Sequence, residues 1–219
     1  SLLTITYSLI IEGGFRMNII EVKNVSKKFD DKIVLDNISF TVEEGDIFGL
    51  IGPNGAGKST LINIMTGLLD ANGGTVVIGG FDIRKDTLKA KEFFGLVPQE
   101  LALIESVSAY DNLEFFGSLY GLRGKLLKER VNYALDITGL SEKKKEKVKK
   151  FSGGMKRRLN LAAAIMHQPK ILILDEPTVG IDPHSRNHIF EFLKGINREY
   201  NTTIIYTSHY MEEVEYLCN

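Results

Sequence analysis

The chain predicts an α/β fold: a core with a mixed, largely parallel sheet, an antiparallel N-terminal β subdomain and an inserted α-helical subdomain. Three observations carry this. The glycine-rich stretch Gly52-Pro53-Asn54-Gly55-Ala56-Gly57-Lys58-Ser59-Thr60 lies between the apolar run Ile47–Ile51 and the helical run Leu61–Met65. Ile171-Leu172-Ile173-Leu174 is wholly apolar, as in a parallel strand covered on both faces. From about 100 to 167 nothing alternates as a strand does.

The elements follow in order. Strands are expected over Ile19–Val25 and Ile33–Val42, with a turn at Asp30-Asp31. Glu43-Glu44-Gly45-Asp46 turns the chain into the buried strand 47–51, and the helix after the glycine loop starts near Lys58. Asn72-Gly73-Gly74 leads into a strand over Thr75–Ile78, closed by Gly79-Gly80. Phe93–Val97 is a further strand ending at Pro98-Gln99. In the helical insert, Leu113, Phe116, Leu119 and Tyr120 share a helical face that Gly121 stops. A second helix spans Leu126–Ile137. Ser141 caps a short charged helix holding Lys143–Lys147, and another helix starts at Ser152 with Leu159, Ala162, Ala163 and Ile165 inside. The α/β pattern then returns with the strand at 171–174, a helix over about 184–199 and a strand over Thr203–Thr207. The expected organisation is 17–98 for the β subdomain and first part of the core, 99–167 for the insert and 168–219 for the rest of the core.

Composition narrows the function classes. The 219 residues give room for one large domain or a domain with a subdomain, and 43% hydrophobic residues supply a core. A net charge of −1 gives no global field for nucleic acid or an anionic membrane. The single cysteine, Cys218, excludes an internal disulfide and fits a reducing compartment. No apolar run reaches the ~18 residues of a membrane span. Residues 1–16 alternate as a strand through Leu3, Ile5, Tyr7, Leu9 and Ile11, without a basic leader or cleavage site. Gly13-Gly14 breaks that run and Met17 resembles a natural start, so an upstream or non-native extension is expected over a native arm.

The chemistry starts at the glycine loop. Gly52 to Ser59 matches G-x-x-x-x-G-K-[ST], and the strand before and helix after are the context that motif needs. Glycines let backbone N–H groups turn onto phosphate oxygens, and the helix dipole points at the same anion. Lys58 reaches the β- and γ-phosphates and Ser59 holds Mg²⁺ in such a loop. Leu174-Asp175-Glu176 ends the buried strand at the sheet's carboxyl edge, where open α/β folds bind ligands. Asp175 suits Mg²⁺ through water, and Glu176 suits orienting or deprotonating an attacking water. Ser152-Gly153-Gly154, at a helix start, makes a second anion site from open N–H groups and the dipole.

With Phe151-Ser152-Gly153-Gly154-Met155 the chain resembles the ATP-binding cassette (ABC) transporter ATPases. These five residues look like that family's signature motif, Gly52–Ser59 like its Walker A and Ile171–Glu176 like its Walker B. Gln99 looks like the Q-loop glutamine, Gly180-Ile181-Asp182-Pro183 like the D-loop and His209 like the switch histidine. Order and spacing agree over about residues 18–217. The resemblance implies that Gln99 touches Mg²⁺ and the attacking water and lies where a membrane partner docks. His209 would contact the γ-phosphate, and Phe29 would stack on adenine, with core packing as its alternative. Ser152, Gly153, Gly154 and Asp182 would act in trans, on ATP held by the P-loop of a second ATPase subunit in a head-to-tail dimer. The family more often carries Leu at position 151 and Gln at 155, which puts a hydrogen bond from the Met155 side chain in question.

The resemblance implies ATP and Mg²⁺, an integral membrane permease as partner, no nucleic acid, and a place on the cytoplasmic face of the cell membrane. Val107–Leu122 and Met155-Lys156-Arg157-Arg158-Leu159 resemble drug- and ion-efflux members, which favours export. Pro98–Ser106 and part of the apolar surface of Phe115, Phe116, Leu119 and Tyr120 are expected to receive a permease helix. The alternatives are a soluble ABC-type ATPase on nucleic acid or ribosomes, and a regulatory module without turnover. About 112 residues separate Gly57 from Lys170, without heptads, which speaks against the first. Glu176, Gln99 and His209 together speak against the second.

Overall fold

The computed structural model describes residues 4–6 and 17–218. Apart from the backbone of Thr4–Thr6, the segment 1–16, and with it the expected extension, lies outside them. The chain divides into two compact units. The first holds Ser1–Leu96, Lys170–Glu176 and Ile196–Asn219, and the second Val97–Pro169 and Pro177–Gly195.

Two sheets build the first unit. β2 (Asn18–Phe29) and β3 (Lys32–Glu43) form a long hairpin, and β5 (Gly73–Ile78) and the two-residue β6 (Phe81–Asp82) extend it in the order β3-β2-β5-β6, antiparallel throughout. The other sheet has the order β1-β4-β9-β8-β7, from β1 (Thr4–Thr6), β4 (Ile47–Ile51), β7 (Phe94–Val97), β8 (Ile171–Leu174) and β9 (Thr203–Ser208). β1 runs antiparallel to β4, while β4, β9 and β8 are mutually parallel. All residues of β4, β8 and β9 are buried, which explains why these strands lack polar alternation.

α1 (Lys58–Met65) packs Leu61, Ile62 and Met65 into a core shared with Ile20, Leu35 and Ile78 of one sheet and Ile171, Ile173 and Ile205 of the other. Phe40 and Phe48 stack across it at 5.0 Å. α2 (Thr87–Lys91) precedes β7, and α7 (Met211–Cys218) follows β9. Ile51 pairs with Ser208 and Leu174 with Tyr206, so β4, β8 and β9 end at one edge. The glycine loop, Asp175-Glu176 and His209 all leave from that edge.

The second unit is helical. α3 (Ala109–Leu119), α4 (Gly124–Ile137) and α5 (Gly153–Ala164) pack on one another through Leu113, Val131, Leu135, Leu159 and Ala162. α3 approaches closely where Gly117 leaves room; a Cβ there would lie 2.5 Å from Leu127 Cδ1 and 2.7 Å from Met166 Cε. α6 (Pro183–Tyr200) begins in this unit and ends in the first.

Several expectations change. The charged helix after Ser141 is a 3₁₀ turn, Ser141–Lys143, in which Ser141 is the first residue and makes no side-chain cap. Lys147 instead bridges antiparallel to Ser108, drawing the chain out of a helix, and a second 3₁₀ turn spans Val148–Lys150. The supposed single face of α3 is split: Leu113 is buried, while Leu119 and Tyr120 are exposed and Phe116 is half-buried. Where the insert was expected over 99–167, the helical unit also takes in 177–195, because the start of α6 packs against the start of α5. Among the described residues, no helix is long and apolar enough to cross a membrane.

Candidate active site

The glycine loop connects the buried end of β4 to α1 through a solvent-exposed tip at Pro53, Asn54 and Gly55. Gly57 is the N-cap of α1 at φ +98°, and a Cβ there would meet Leu35 Cδ2 at 2.8 Å and the Val34 carbonyl at 3.1 Å. Both backbone and space therefore demand glycine. Having no side-chain oxygen, Gly57 leaves the first turn of α1 without a side-chain cap, and its N–H groups can serve a ligand. Ala56, Ser59 and Thr60 are half-buried beside it, Gly52 buried at the loop's start.

Lys58 is folded back over this loop and is only 4% exposed. Its ammonium donates to the carbonyls of Gly52 at 2.7 Å and Pro53 at 3.2 Å, and pairs with Glu176 Oε1 at 3.1 Å. Three partners match the three donors of a lysine. Glu176 takes a left-handed backbone at φ +44°, uncommon for a residue with a side chain. It is held there by donating its N–H to Thr207 Oγ1 at 2.8 Å, while the Thr207 hydroxyl donates to Asp175 Oδ1 at 2.8 Å. One hydroxyl on the neighbouring strand thus fixes both acids.

The second oxygen of Glu176 faces His209, whose Nδ1 lies 3.9 Å away. The turn that carries His209 is anchored by the buried Glu213. Tyr206 and Ser208 donate their hydroxyls to Glu213 Oε2 at 2.9 and 2.8 Å, and the Tyr210 N–H donates to Ser208 Oγ at 2.9 Å. Sequence reasoning missed Thr207 and Glu213. Their place two residues before and four after His209 was the available signal.

Phe29 ends β2 with 46% of its surface exposed, and the Lys27 ammonium sits 5.1 Å from its ring centre. It is not a core side chain. Ser59 and Asp175 contribute hard oxygen donors, the donor type Mg²⁺ prefers, so this chemistry fits that ion. Among the described residues no group of three or more His, Cys, Asp or Glu gathers as a metal site.

The other expected residues lie in the second unit. Ser152 is the N-cap of α5, its Oγ accepting the Met155 N–H at 3.2 Å; Ser152 and Gly153 are exposed. Met155 therefore contributes through its backbone, and Phe151, 6% exposed, is an apolar plug. Gly154 is buried against α6: a Cβ would sit 2.1 Å from Ser185 Oγ, so the helix starts converge only with glycine here. Asp182 Oδ1 accepts the Ser185 N–H at 2.9 Å. That bond and the Ser185 hydroxyl hold its carboxyl below the usual carboxylate range. Arg158 donates to the Thr138 and Gly139 carbonyls. Burial pushes its guanidinium down, and the Asp182 charge opposes that. Gln99 is exposed, two residues beyond β7.

A glycine loop bridging a buried strand to an uncapped helix, with an acidic pair ending a neighbouring strand, defines a P-loop nucleoside-triphosphatase fold. The ABC transporter family model matches residues 35–179, and the chain belongs to that family. It is 51% identical over 200 residues to the linearmycin resistance ATP-binding protein LnrL of Bacillus subtilis (strain 168), covering 91% of this chain and 64% of that protein. It is 43% identical over 200 residues to the Nod factor export ATP-binding protein I of Sinorhizobium fredii (strain NBRC 101917 / NGR234), covering 91% and 58%. The chain thus spans less than two thirds of the length of these relatives. Among solved structures, it superposes with a TM-score of 0.80 on the ATP-binding cassette MJ0796, a dimer in a post-hydrolysis state bound to ADP and Pi. Identity there is 27%, over 90% of each chain.

Proposed function

We propose that this chain is the ATP-hydrolysing part of an ABC exporter, working as a head-to-tail dimer on the cytoplasmic face of the cell membrane and driving a separate permease. The observation that supports it best is the buried cluster Lys58–Glu176–Asp175–Thr207, with His209 beside it, at the sheet's carboxyl edge. Export is supported by the name of the Nod factor relative, and a dimer by the MJ0796 assembly. Exposed Leu101, Ile104, Phe115, Leu119 and Tyr120 offer an apolar surface for the permease.

ATP phosphates would lie on the N–H groups of the loop and of α1, with adenine on the exposed ring of Phe29. The Lys58 ammonium would take the β- and γ-oxygens as partners in exchange for Glu176. Glu176 would then accept a proton from the attacking water, whose oxygen bonds to the γ-phosphorus as the bond to the bridging oxygen breaks. ADP and inorganic phosphate result. His209 would hold a γ-phosphate oxygen. Ser59 and Asp175 would hold Mg²⁺, which would neutralise phosphate charge, and the family resemblance implies Gln99 as a further ligand. Ser152, Gly153, Gly154 and Asp182 would close the site of the opposite subunit.

Glu176→Gln tests this reading. It leaves loop and Asp175 intact, so ATP affinity should stay within about threefold, while turnover falls by roughly 10²-fold or more, the scale of general-base loss. Gel filtration with ATP should show a trapped dimer. Wild-type turnover in this variant would remove Glu176 from the chemistry.

A further inference from the structure

The segment after β7, from Pro98 to Ser106, has no helix or strand, yet its backbone is pinned by side chains of α5 and α3. Arg157, 5% exposed, donates from Nη1 to the Pro98 carbonyl at 2.9 Å and from Nη2 to the Gln99 carbonyl at 2.7 Å. One turn further along α5, Asn160 Oδ1 accepts the Ala102 N–H at 3.4 Å. Lys156 pairs with Glu105. From α3, the buried Asn112 side chain both accepts the Ile104 N–H at 2.8 Å and donates to the Ile104 carbonyl at 3.0 Å. Below these, the N–H of Lys149 reaches the Glu105 carbonyl and that of Val148 the Val107 carbonyl, each at 3.0 Å.

We infer that Arg157 is a positioning residue that fixes Gln99 relative to the amino end of α5. The inference rests on the proposed role of Gln99 and deepens it. A planar guanidinium with two divergent N–H groups holds two consecutive carbonyls at once, so it sets both the position and the rotation of that peptide unit. The Gln99 side chain leaves from the residue so held. Arg157 lies five residues into α5 from Ser152, about 7.5 Å along the helix axis at the α-helical rise. A displacement of the loop therefore reaches the Ser152 end of α5 through a rigid helix of that length. Exposed Leu101 lies on the same pinned segment, between the Arg157 clamp and the Asn112 clamp, and exposed Ile104 is the residue that Asn112 holds. A push on them is transmitted to Gln99 and to α5 together. Lysine is a poor substitute, because its single ammonium offers no fork for two carbonyls.

The test is a double-mutant cycle in steady-state ATPase assays on the full chain, with Arg157→Gln, Arg157→Lys, Gln99→Ala and the Arg157→Gln/Gln99→Ala pair. Arg157→Gln should lower kcat about tenfold with the KM for ATP within twofold, since the glycine loop is untouched. Arg157→Lys should fall between that variant and wild type. The pair should be no slower than Gln99→Ala alone. Losses that multiply in the pair, or wild-type kcat in Arg157→Gln, overturn the inference. Wild-type turnover in Gln99→Ala removes the role of Gln99 itself, a distinct failure. If Arg157→Gln does not fold, the cycle is run with Arg157→Lys, and multiplying losses there overturn the inference equally.

Discussion

The helix starts of the two units differ in how they treat their own backbone. α1 of the first unit begins at a glycine without a side-chain cap, beside a lysine and a glutamate that are 4% and 8% exposed. α5 of the second begins at an exposed serine whose hydroxyl already accepts the Met155 N–H. An uncapped start needs its ligand and its buried charges assembled around it. A capped start is stable alone and suits a surface that meets a second molecule only part of the time. The difference fits the proposed division, with chemistry in cis on the first unit and recognition in trans on the second.

The comparison breaks or holds most visibly on mixing variants. Ser152→Arg places bulk at the start of α5 and leaves the glycine loop alone. Monomer affinity for ATP should remain within about twofold, while ATP-dependent dimerisation and turnover are lost. Lys58→Ala removes charge-assisted contacts, each worth about 1.5–3 kcal/mol, so its ATP affinity should drop roughly 10- to 100-fold by calorimetry. Mixed, the two chains should recover part of the turnover, through one site built from the intact loop of one and the intact helix start of the other. No recovery, or normal hydrolysis by Ser152→Arg alone, places the second unit's residues outside the reaction.

A smaller effect sharpens the cis side. Thr207→Val keeps the shape but leaves the Glu176 N–H without its acceptor and Asp175 without its donor. A buried polar group so stranded costs about 1–3 kcal/mol. Turnover should fall about tenfold and the melting temperature by several degrees, with Thr207→Ser restoring most of both. An unchanged kcat in Thr207→Val would show that the acid pair holds its geometry without the neighbouring strand.

Local signals were legible in the sequence and distant ones were not. Gly57, Lys58 and Ser59 announce themselves because loop, strand and helix are contiguous. Asp175 and Glu176 do so because they end an all-apolar strand. The role of Thr207 was not legible, since its partners lie 31 and 32 residues away and only its place two residues before His209 marked it. The same holds for Arg157, whose carbonyl partners are 58 and 59 residues back and whose place beside the signature suggested only family likeness. β6, with two residues, and α2, with five, are too short to show a period. Ser141 failed as a cap because the 3₁₀ turn starts at Ser141 itself, one residue earlier than read, with Leu140 at the N-cap position.

The smallest effect concerns the charge beside the proposed trans surface. The carboxyl of Asp182 is lowered, first by the Ser185 N–H and then by the Ser185 hydroxyl. Arg158 of α5 faces the same charge, and His184 follows two residues later on α6. Because its pKa is depressed on folding, the ionised carboxylate stabilises the fold fully above the ordinary carboxylate pKa of about 3.9 and loses that contribution as pH falls through its folded value. Asp182→Asn keeps an N-cap acceptor for the Ser185 N–H and removes only the charge. Thermal melts from pH 7 to pH 3 should therefore show a small, constant gap between wild type and variant down to about pH 4, closing below it. A gap that stays constant down to pH 3, or no gap at any pH, would show that the Asp182 charge contributes nothing to the stability of this surface.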